Sequence, residues 1–203
     1  MNYPKSFENL IYEFEKLPGI GQKMAVRIGM KLYKNRLNSI NLIQSIQNLT
    51  NLHTCEFCGA ISDDKVCEIC ADNQRDKSKL MVVEDYLDLL SIESSKEYDG
   101  YYFILGGLIS PMNGVMPNDL NILGLINRIK YLSEQSSTLE IVFSLNPNME
   151  GEGTIYFIKQ EIDSAKVSNL TFSKLALGVP KGADIDFVDS ETLKFALRSR
   201  GDI

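Results

Sequence analysis

Apolar and polar positions alternate with helical spacing through the first fifty residues. Apolar side chains recur at three- and four-residue intervals in segments 6–14, 22–33 and 39–52, each of which is predicted to be a helix. Ser6 stands where a residue capping the first helix is expected. The N-terminal part of the chain is therefore predicted to be all-helical.

Beyond residue 79 the pattern changes to short apolar runs separated by helical stretches. Alternation of strand and helix at this spacing predicts a mostly parallel sheet with helices on both faces. In such sheets ligands gather at the C-terminal ends of the strands, where Glu84 and the loop 146–152 fall. The predicted strands are 80–83, 101–105, 139–143 and 171–177, and the predicted helices are about 87–92, 118–132, 154–163 and 190–198.

All four cysteines form two C-x-x-C pairs, Cys55 with Cys58 and Cys67 with Cys70. Two such turns present four thiolates, which predicts a tetrahedral site for one Zn²⁺. Two disulfides are the alternative, but disulfide scaffolds are typical of secreted proteins. Four sulfur ligands leave no position for water, so the zinc is expected to be structural. His53 is predicted to be a neighbouring turn residue rather than a ligand.

Charge is unevenly distributed along the 203 residues, whose net charge is −6. Residues 1–36 hold seven Lys and Arg against three Glu, so the remainder carries −10. A basic head on an acidic body predicts polyanion contact confined to the head. No apolar run is long enough to span a membrane, and the start of the chain lacks a signal-peptide core, so we expect a cytoplasmic protein.

The stretch LPGIGQKMAVR joins the first two predicted helices. Gly19 and Gly21 flank Ile20 in a predicted hairpin that leaves backbone N–H groups bare at a helix start, where a phosphate is favoured. Lys23 and Arg27 share one face of the second helix. This pattern indicates a helix-hairpin-helix that binds the DNA backbone through these five residues. The alternative is an ordinary turn beside a solvated basic face.

Together with further motifs, these features resemble the bacterial RecR family over nearly the whole chain. The motifs are LPGIG with its basic helix, the four cysteines, VVED at 82–85, LGGLISP at 105–111, NPNMEGE at 146–152 and GVPKG at 178–182, followed by Asp189, Thr192, Leu193 and Arg200. The resemblance implies a non-enzymatic recombination mediator in DNA repair that acts with RecO and RecF to load RecA at single-stranded gaps. It also implies assembly into dimers or a tetrameric ring that encircles DNA.

Four regions are expected from this resemblance. They are a helix-hairpin-helix DNA-binding region at 1–53, a four-cysteine zinc finger at 54–78, a Toprim domain at 79–175 and a C-terminal oligomerisation segment at 176–203. The expected fold class is therefore α/β, with a mostly parallel Toprim sheet following the helical head and the zinc finger.

The Toprim resemblance also allows an enzymatic alternative. Catalytic Toprim domains hold Mg²⁺ with a Glu after the first strand, here Glu84, and with a D-x-D pair. In this chain the D-x-D slot reads Asn146-Pro147-Asn148. Two amides replace two carboxylates, so we expect a severely weakened metal site.

The acidic residues near this slot have two equally weighted interpretations. Glu150 and Glu152 are either helix-start carboxylates favoured by the dipole or part of a partner surface. The resemblance implies that RecO docks on this face, at Glu84, Asp85, Glu150 and Glu152. Unpartnered buried carboxylates are costly, so Glu84 and Asp85 are expected to face solvent, a metal or a basic surface.

Three functions remain in view from the sequence. A mediator binds DNA without cutting it, a Mg²⁺-dependent nuclease or topoisomerase cuts it, and a protein-interaction module does neither. The second D-x-D pair, Asp184 and Asp186, lies in a Gly- and Pro-rich loop and is predicted to form turns. GVPKG at 178–182 lacks the ending of a phosphate-binding loop and is predicted to be a sharp turn.

Overall fold

A computed structural model of the chain describes residues 3–200. The chain divides into two compact units, Met1–Leu52 and His53–Ile203. Among the described residues, no helix combines the length and apolar composition needed to cross a bilayer.

The N-terminal unit consists of three helices, α1 (Lys5–Glu15), α2 (Gln22–Lys34) and α3 (Arg36–Leu49). The prediction that Ser6 caps α1 is wrong. Pro4 precedes the helix, and its carbonyl accepts the N–H groups of Phe7 and Glu8. A proline at this point has its φ already fixed for helix entry. The helix therefore begins without a side-chain cap.

The third helix starts three residues before its predicted start. The side chain of Asn35 accepts the N–H of Asn38 at 3.1 Å and so caps α3 before Arg36. No residue of α3 is buried. Leu42 is half-buried, whereas the other apolar side chains of this helix are exposed among the described residues: Leu37, Ile40, Ile43, Ile46 and Leu49.

The first two helices pack closely because α2 contains a glycine. A Cβ added at Gly29 would lie 3.0 Å from the ring of Phe7. Ile11 of α1 and Ala25 of α2 are the buried apolar residues of this contact. Small side chains on α2 thus let α1 approach.

The C-terminal unit contains a parallel sheet of four strands: β3 (Asp76–Val83), β4 (Gly100–Ile104), β5 (Leu139–Ser144) and β6 (Leu170–Lys174). They lie in the order β4-β3-β5-β6. This confirms the predicted α/β class with a parallel sheet. The helices are α5 (Tyr86–Ser95), α6 (Ile122–Ser133), α7 (Met149–Ser164) and α8 (Ser190–Arg198).

A short segment before the sheet, residues 53–72, carries the four cysteines and is called the cysteine knuckle below. It contains strands β1 (His53–Thr54) and β2 (Ile61–Ser62), which pair antiparallel, and the short helix α4 (Glu68–Ala71). His53 lies in β1 opposite Ser62 rather than in a turn, so that prediction is wrong.

The two faces of the sheet bury two separate cores because successive strand residues point to opposite sides. One core joins Leu80 and Val82 to the apolar faces of α6 and α7. The other joins Met81 and Val83 to α5 and to three of the knuckle cysteines. The cysteine knuckle is thus built into one face of the sheet.

Several element boundaries differ from the sequence-based prediction. Strand β3 begins at Asp76, four residues early, because its polar first half still pairs along the sheet, with Lys79 opposite Glu140. Helix α6 begins at Ile122 rather than near residue 118, because Pro117–Asp119 forms a separate 3-10 turn. Strand β6 ends at Lys174 rather than at 177.

Candidate metal centre and nucleic-acid interface

Short backbone turns position the four cysteines of the knuckle. The N–H of Gly59 donates to the carbonyl of Cys55 at 3.0 Å, and the N–H of Cys55 donates to Ala60 at 2.7 Å. Gly59 has a φ of 80°, which glycine adopts without strain. This turn brings Cys58 back beside Cys55, and the N–H of Cys67 donates to the sulfur of Cys55 at 3.4 Å.

The four sulfurs form one compact group. All of the Sγ atoms lie within 4.8 Å of one another, and those of Cys58 and Cys67 are 3.5 Å apart. In a tetrahedral site with Zn–S bonds of about 2.3 Å the sulfurs lie about 3.8 Å apart. Cys55, Cys58 and Cys67 are buried and Cys70 is half-buried. The donor set therefore fits one structural Zn²⁺, which adds a fixed cross-link to this face of the sheet.

Hydrogen bonds among the knuckle thiols shift their pKa values in opposite directions. Hydrogen bonding to Cys58 lowers the pKa of Cys67 to about 2, whereas the same contact raises the pKa of Cys58. Contact with Cys58 and Cys67 likewise raises the pKa of Cys70. Because the thiols must lose their protons to bind zinc, zinc affinity is expected to fall at low pH.

The knuckle makes hydrogen bonds to the edge strand of the sheet. Strand β4 is an edge strand, and the N–H of Ile104 donates to the carbonyl of Cys58 at 2.8 Å. The hydroxyl of Tyr101 in the same strand donates to the carbonyl of Asp72 at 3.0 Å. Backbone groups at a sheet edge otherwise remain open to another chain. The knuckle therefore occupies the end of this edge through one backbone hydrogen bond.

The turn between α1 and α2 contains the predicted hairpin. The N–H of Ile20 donates to Leu17 at 3.2 Å, and Ile20 is half-buried. Gly19 has a φ of 79°, a conformation that favours glycine. Gly21 is extended and precedes α2 without a side-chain cap, while its carbonyl accepts the N–H of Met24 at 2.9 Å. The start of α2 therefore has no hydrogen bond from a capping side chain.

Two cations stand beside this helix start. Lys23 and Arg27 are exposed on α2 and line a groove of about 660 Å³ between α1 and α2, called the basic groove below. Gln22 and Tyr12 also line it, as do two glutamates of α1, Glu8 and Glu15. Among residues 3–200, neither cation forms an ion pair.

The carboxylate of Glu84 follows β3 at the C-terminal edge of the sheet. It is half-buried and accepts a hydrogen bond from the amide of Asn146 at 2.7 Å. Partial burial, followed by the neighbouring charges of Asp88 and Asp85, raises the pKa of Glu84. Asn146, the first residue of the expected D-x-D slot, thus serves as a hydrogen-bond donor to the carboxylate.

Asp85 has a structural role that sequence reasoning missed. Its carboxylate accepts the N–H groups of Leu87 at 2.8 Å and Asp88 at 3.0 Å, and Asp88 accepts the N–H of Asp85 at 3.2 Å. This reciprocal capping box starts α5. An acidic residue at each end of the sequence Asp85-x-x-Asp88, just before a helical run, was the available signal.

Glu150 and Glu152 lie in the first turn of α7, where the helix dipole favours carboxylates. Glu150 accepts the hydroxyl of Ser110, and Glu152 forms an ion pair with Lys174 at 2.6 Å. Among the described residues, the four cysteines are the sole group of three or more His, Cys, Asp or Glu ligands that could share a metal. The acidic side chains at this edge thus each have a separate partner.

The residues in the expected D-x-D slot organise the loop before α7. The side chain of Asn148 accepts the N–H of Gly151 at 2.8 Å and caps α7, which therefore begins five residues before its predicted start. A Cβ added at Gly151 would lie 2.0 Å from the carbonyl oxygen of Asn146, so the chain needs glycine there. These amides shape the loop that holds Asn146 against Glu84.

The loop between β6 and α8 matches the turns predicted for it. The N–H of Ala183 donates to Pro180 at 3.1 Å, and Gly182 has a φ of 86°. Asp184 precedes a single 3-10 turn, Ile185–Phe187, which contains Asp186. The side chain of Asp189 then caps α8.

Comparisons with protein families match three successive parts of the chain. Residues 52–72 match the RecR zinc finger domain with four cysteine ligands, residues 78–173 a Toprim domain, and residues 178–200 the RecR C-terminal model. The zinc-finger match covers the knuckle, in agreement with one structural zinc held by four cysteines. The Toprim match covers the parallel sheet.

Curated relatives extend over essentially the whole chain. The chain is 37% identical over 202 residues to a recombination protein RecR of Staphylococcus saprophyticus, covering 98% of each. It is 38% identical over 206 residues to that of Lactobacillus johnsonii, covering 100% of each. It is 40% identical over 200 residues to that of Bifidobacterium adolescentis, covering 98% of this chain and 96% of the relative. With this full-length similarity and the zinc-finger and C-terminal matches, the chain belongs to the RecR family of recombination proteins.

Proposed function

We propose that this protein is a DNA-binding recombination mediator that acts in the cytoplasm with RecO and RecF to promote RecA loading at single-stranded gaps. The RecR family is not known to be enzymatic, and its relatives are named recombination proteins. The observation that carries the DNA-binding proposal is the basic groove. Lys23 and Arg27 stand there without ion pairs to the described residues, beside a helix start that lacks a side-chain cap.

In this proposal the DNA backbone contacts Gly19, Ile20, Gly21, Lys23 and Arg27. The bare N–H groups at the start of α2 and the two side chains all favour phosphate, and contacts to phosphate carry no information about base sequence. Glu8 and Glu15 on the opposite wall of the groove disfavour deep entry of phosphate. DNA is therefore expected to contact the hairpin and the α2 side rather than fill the groove.

Oligomerisation would make these weak contacts effective. Non-specific DNA binding by a single module has a Kd of about 10⁻⁴ to 10⁻⁶ M at physiological salt, and linked copies raise the effective affinity. The apolar residues of α3 support self-association, because Ile40, Ile43 and Ile46 are all more than half exposed. The segment 176–203 is a second proposed interface, where Phe187 is 84% exposed and Leu197 64%.

We assign the partner surface to the acidic edge of the Toprim sheet. Glu84, Asp85, Glu150 and Glu152 lie after β3 or in the first turn of α7 and would attract a basic partner surface such as RecO. Replacing Glu152 by Gln and Asp85 by Asn removes charge, while the introduced asparagine side chain retains a capping oxygen. We expect weaker binding of purified RecO with unchanged zinc content and fold, and unaltered RecO binding would contradict the assignment.

Binding and cleavage of gapped DNA, with and without Mg²⁺, separate the candidate functions. A mediator shifts the DNA without cutting it, a Toprim nuclease cuts it in a Mg²⁺-dependent way, and an interaction module does neither. Lys23→Ala/Arg27→Ala is expected to weaken binding. Lys77→Ala/Lys130→Ala removes the same charge from exposed sites of the C-terminal unit and is expected to bind normally. Equal loss in both double variants would refute the assigned interface.

A further inference from the structure

Arg128 is a buried arginine enclosed by aromatic rings next to the cysteine knuckle. Only 7% of its surface is exposed. Its guanidinium carbon lies 5.0 Å from the ring centroid of Phe57, 5.1 Å from that of Tyr101 and 5.6 Å from that of Tyr131. These rings come from the knuckle, from edge strand β4 and from α6 itself. The guanidinium therefore lies where three elements of the C-terminal unit meet.

This buried cation has no carboxylate partner within residues 3–200. Its Nη2 donates to the sulfur of Cys70 at 3.9 Å, and its Nε atom has no hydrogen-bond partner in the described part of the chain. Arg75 offers a contrast, because its guanidinium pairs with Glu93 and lies 3.9 Å from a carboxylate oxygen of Asp72. A buried charge is strongly unfavourable unless an opposite charge compensates it. Aromatic faces supply only part of that compensation.

The metal site can supply the missing negative charge. One Zn²⁺ held by four thiolates carries two net negative charges, and Cys70 is the ligand that Arg128 contacts. We propose that Arg128 is the counter-cation of the zinc site: it stabilises the Cys70 thiolate and couples zinc binding to the packing of the knuckle on β4 and α6. It is a positioning residue, because it acts through Cys70 and not on the metal directly.

Zinc release from the full-length protein tests this role. Arg128→Met keeps a long apolar side chain but removes the charge and the donors. Groups that hydrogen-bond to metal ligands typically contribute about 10- to 100-fold to metal affinity, so we expect a loss of zinc affinity of that size in competition with a chromogenic chelator. Arg128→Lys restores the charge and should recover much of the affinity. Lys130→Met, an exposed change on the same helix, should bind zinc like the wild type.

A spectroscopic readout distinguishes this role from simple packing. In protein loaded with Cd²⁺, the sulfur-to-metal charge-transfer band reports on the thiolates, and losing a donor to Cys70 should shift it in Arg128→Met but not in Lys130→Met. Wild-type zinc affinity and an unshifted band in Arg128→Met would overturn the proposal, even if its melting temperature fell. If Arg128→Met does not fold, Arg128→Gln, which keeps a neutral donor, is judged by the same zinc-affinity criterion.

Discussion

Gly151 is the residue at which the Toprim loop is most sensitive to a single methyl group. Its backbone N–H donates to the Asn148 side chain at 2.8 Å, and a Cβ there would lie 2.0 Å from the carbonyl oxygen of Asn146. Carbon–oxygen contacts of this kind normally lie at about 3.3–3.6 Å. Gly151→Ala must therefore displace the loop by about 1 Å, together with the hydrogen bond from Asn146 to Glu84.

The magnitude follows from the contacts that this displacement disturbs. Losing the Asn148 cap costs about 1 kcal/mol, and crowding the loop costs about 1–3 kcal/mol. The better helix propensity of alanine offsets up to about 1 kcal/mol of this. We expect Gly151→Ala to lower the free energy of unfolding by about 1–4 kcal/mol.

Gly153→Ala is the matched control, because a Cβ at Gly153 meets no atom within 4 Å. The same chemical change two residues along α7 should raise the free energy of unfolding by about 0.5–1 kcal/mol. Denaturant unfolding of both zinc-loaded variants measures the difference. Two variants that shift stability in the same direction by the same amount would refute the geometric reasoning.

Four further predictions concern the metal site, a cap, a carboxylate and self-association. Cys58→Ser should lose zinc and melt below the wild type, as measured by elemental analysis and calorimetry, because structural zinc contributes folding free energy. Asp85→Ala should cost about 1 kcal/mol in denaturant unfolding whereas Asp85→Asn stays near wild type, because both Asp and Asn cap helices well. Because the pKa of Glu84 is raised in the folded state, the free energy of unfolding should fall as pH rises from the ordinary pKa of 4.5 through the folded pKa. Glu84→Gln should therefore flatten the dependence of unfolding free energy on pH in that window. Ile43→Glu/Ile46→Glu should reduce the mass measured by light scattering, and an unchanged mass would exclude α3 as the interface.

Periodicity and residue spacing correctly predicted the elements that are determined by interactions between residues close in sequence. Helix α2 begins at its predicted residue and ends one residue later, and α8 matches its predicted range, because apolar spacing and capping residues act within one or two turns. The spacing of the four cysteines predicted that their sulfurs would lie together, because two C-x-x-C turns permit few other geometries. Misplaced starts, such as those of β3 and α7, occur where polar residues or glycines lie inside an element.

The remaining features depend on contacts between distant parts of the chain. No local pattern indicates that the carbonyl of Cys58 would pair with Ile104, or that Asn146 would meet Glu84 across 62 positions. The sequence does indicate that Arg128 is buried, because it follows Leu125 by three residues and precedes Leu132 by four on the apolar face of α6. A charged residue at such a position needs a partner, but the sequence does not say which one.

The salt dependence of DNA binding tests the central claim, that Lys23 and Arg27 bind the DNA backbone. The logarithm of the binding constant falls with the logarithm of salt concentration by about 0.7 per phosphate contact on single strands. Lys23→Ala/Arg27→Ala should therefore flatten the slope by about 1.4 for each engaged chain, whereas Lys77→Ala/Lys130→Ala should keep the wild-type slope. A wild-type slope in Lys23→Ala/Arg27→Ala would contradict the account.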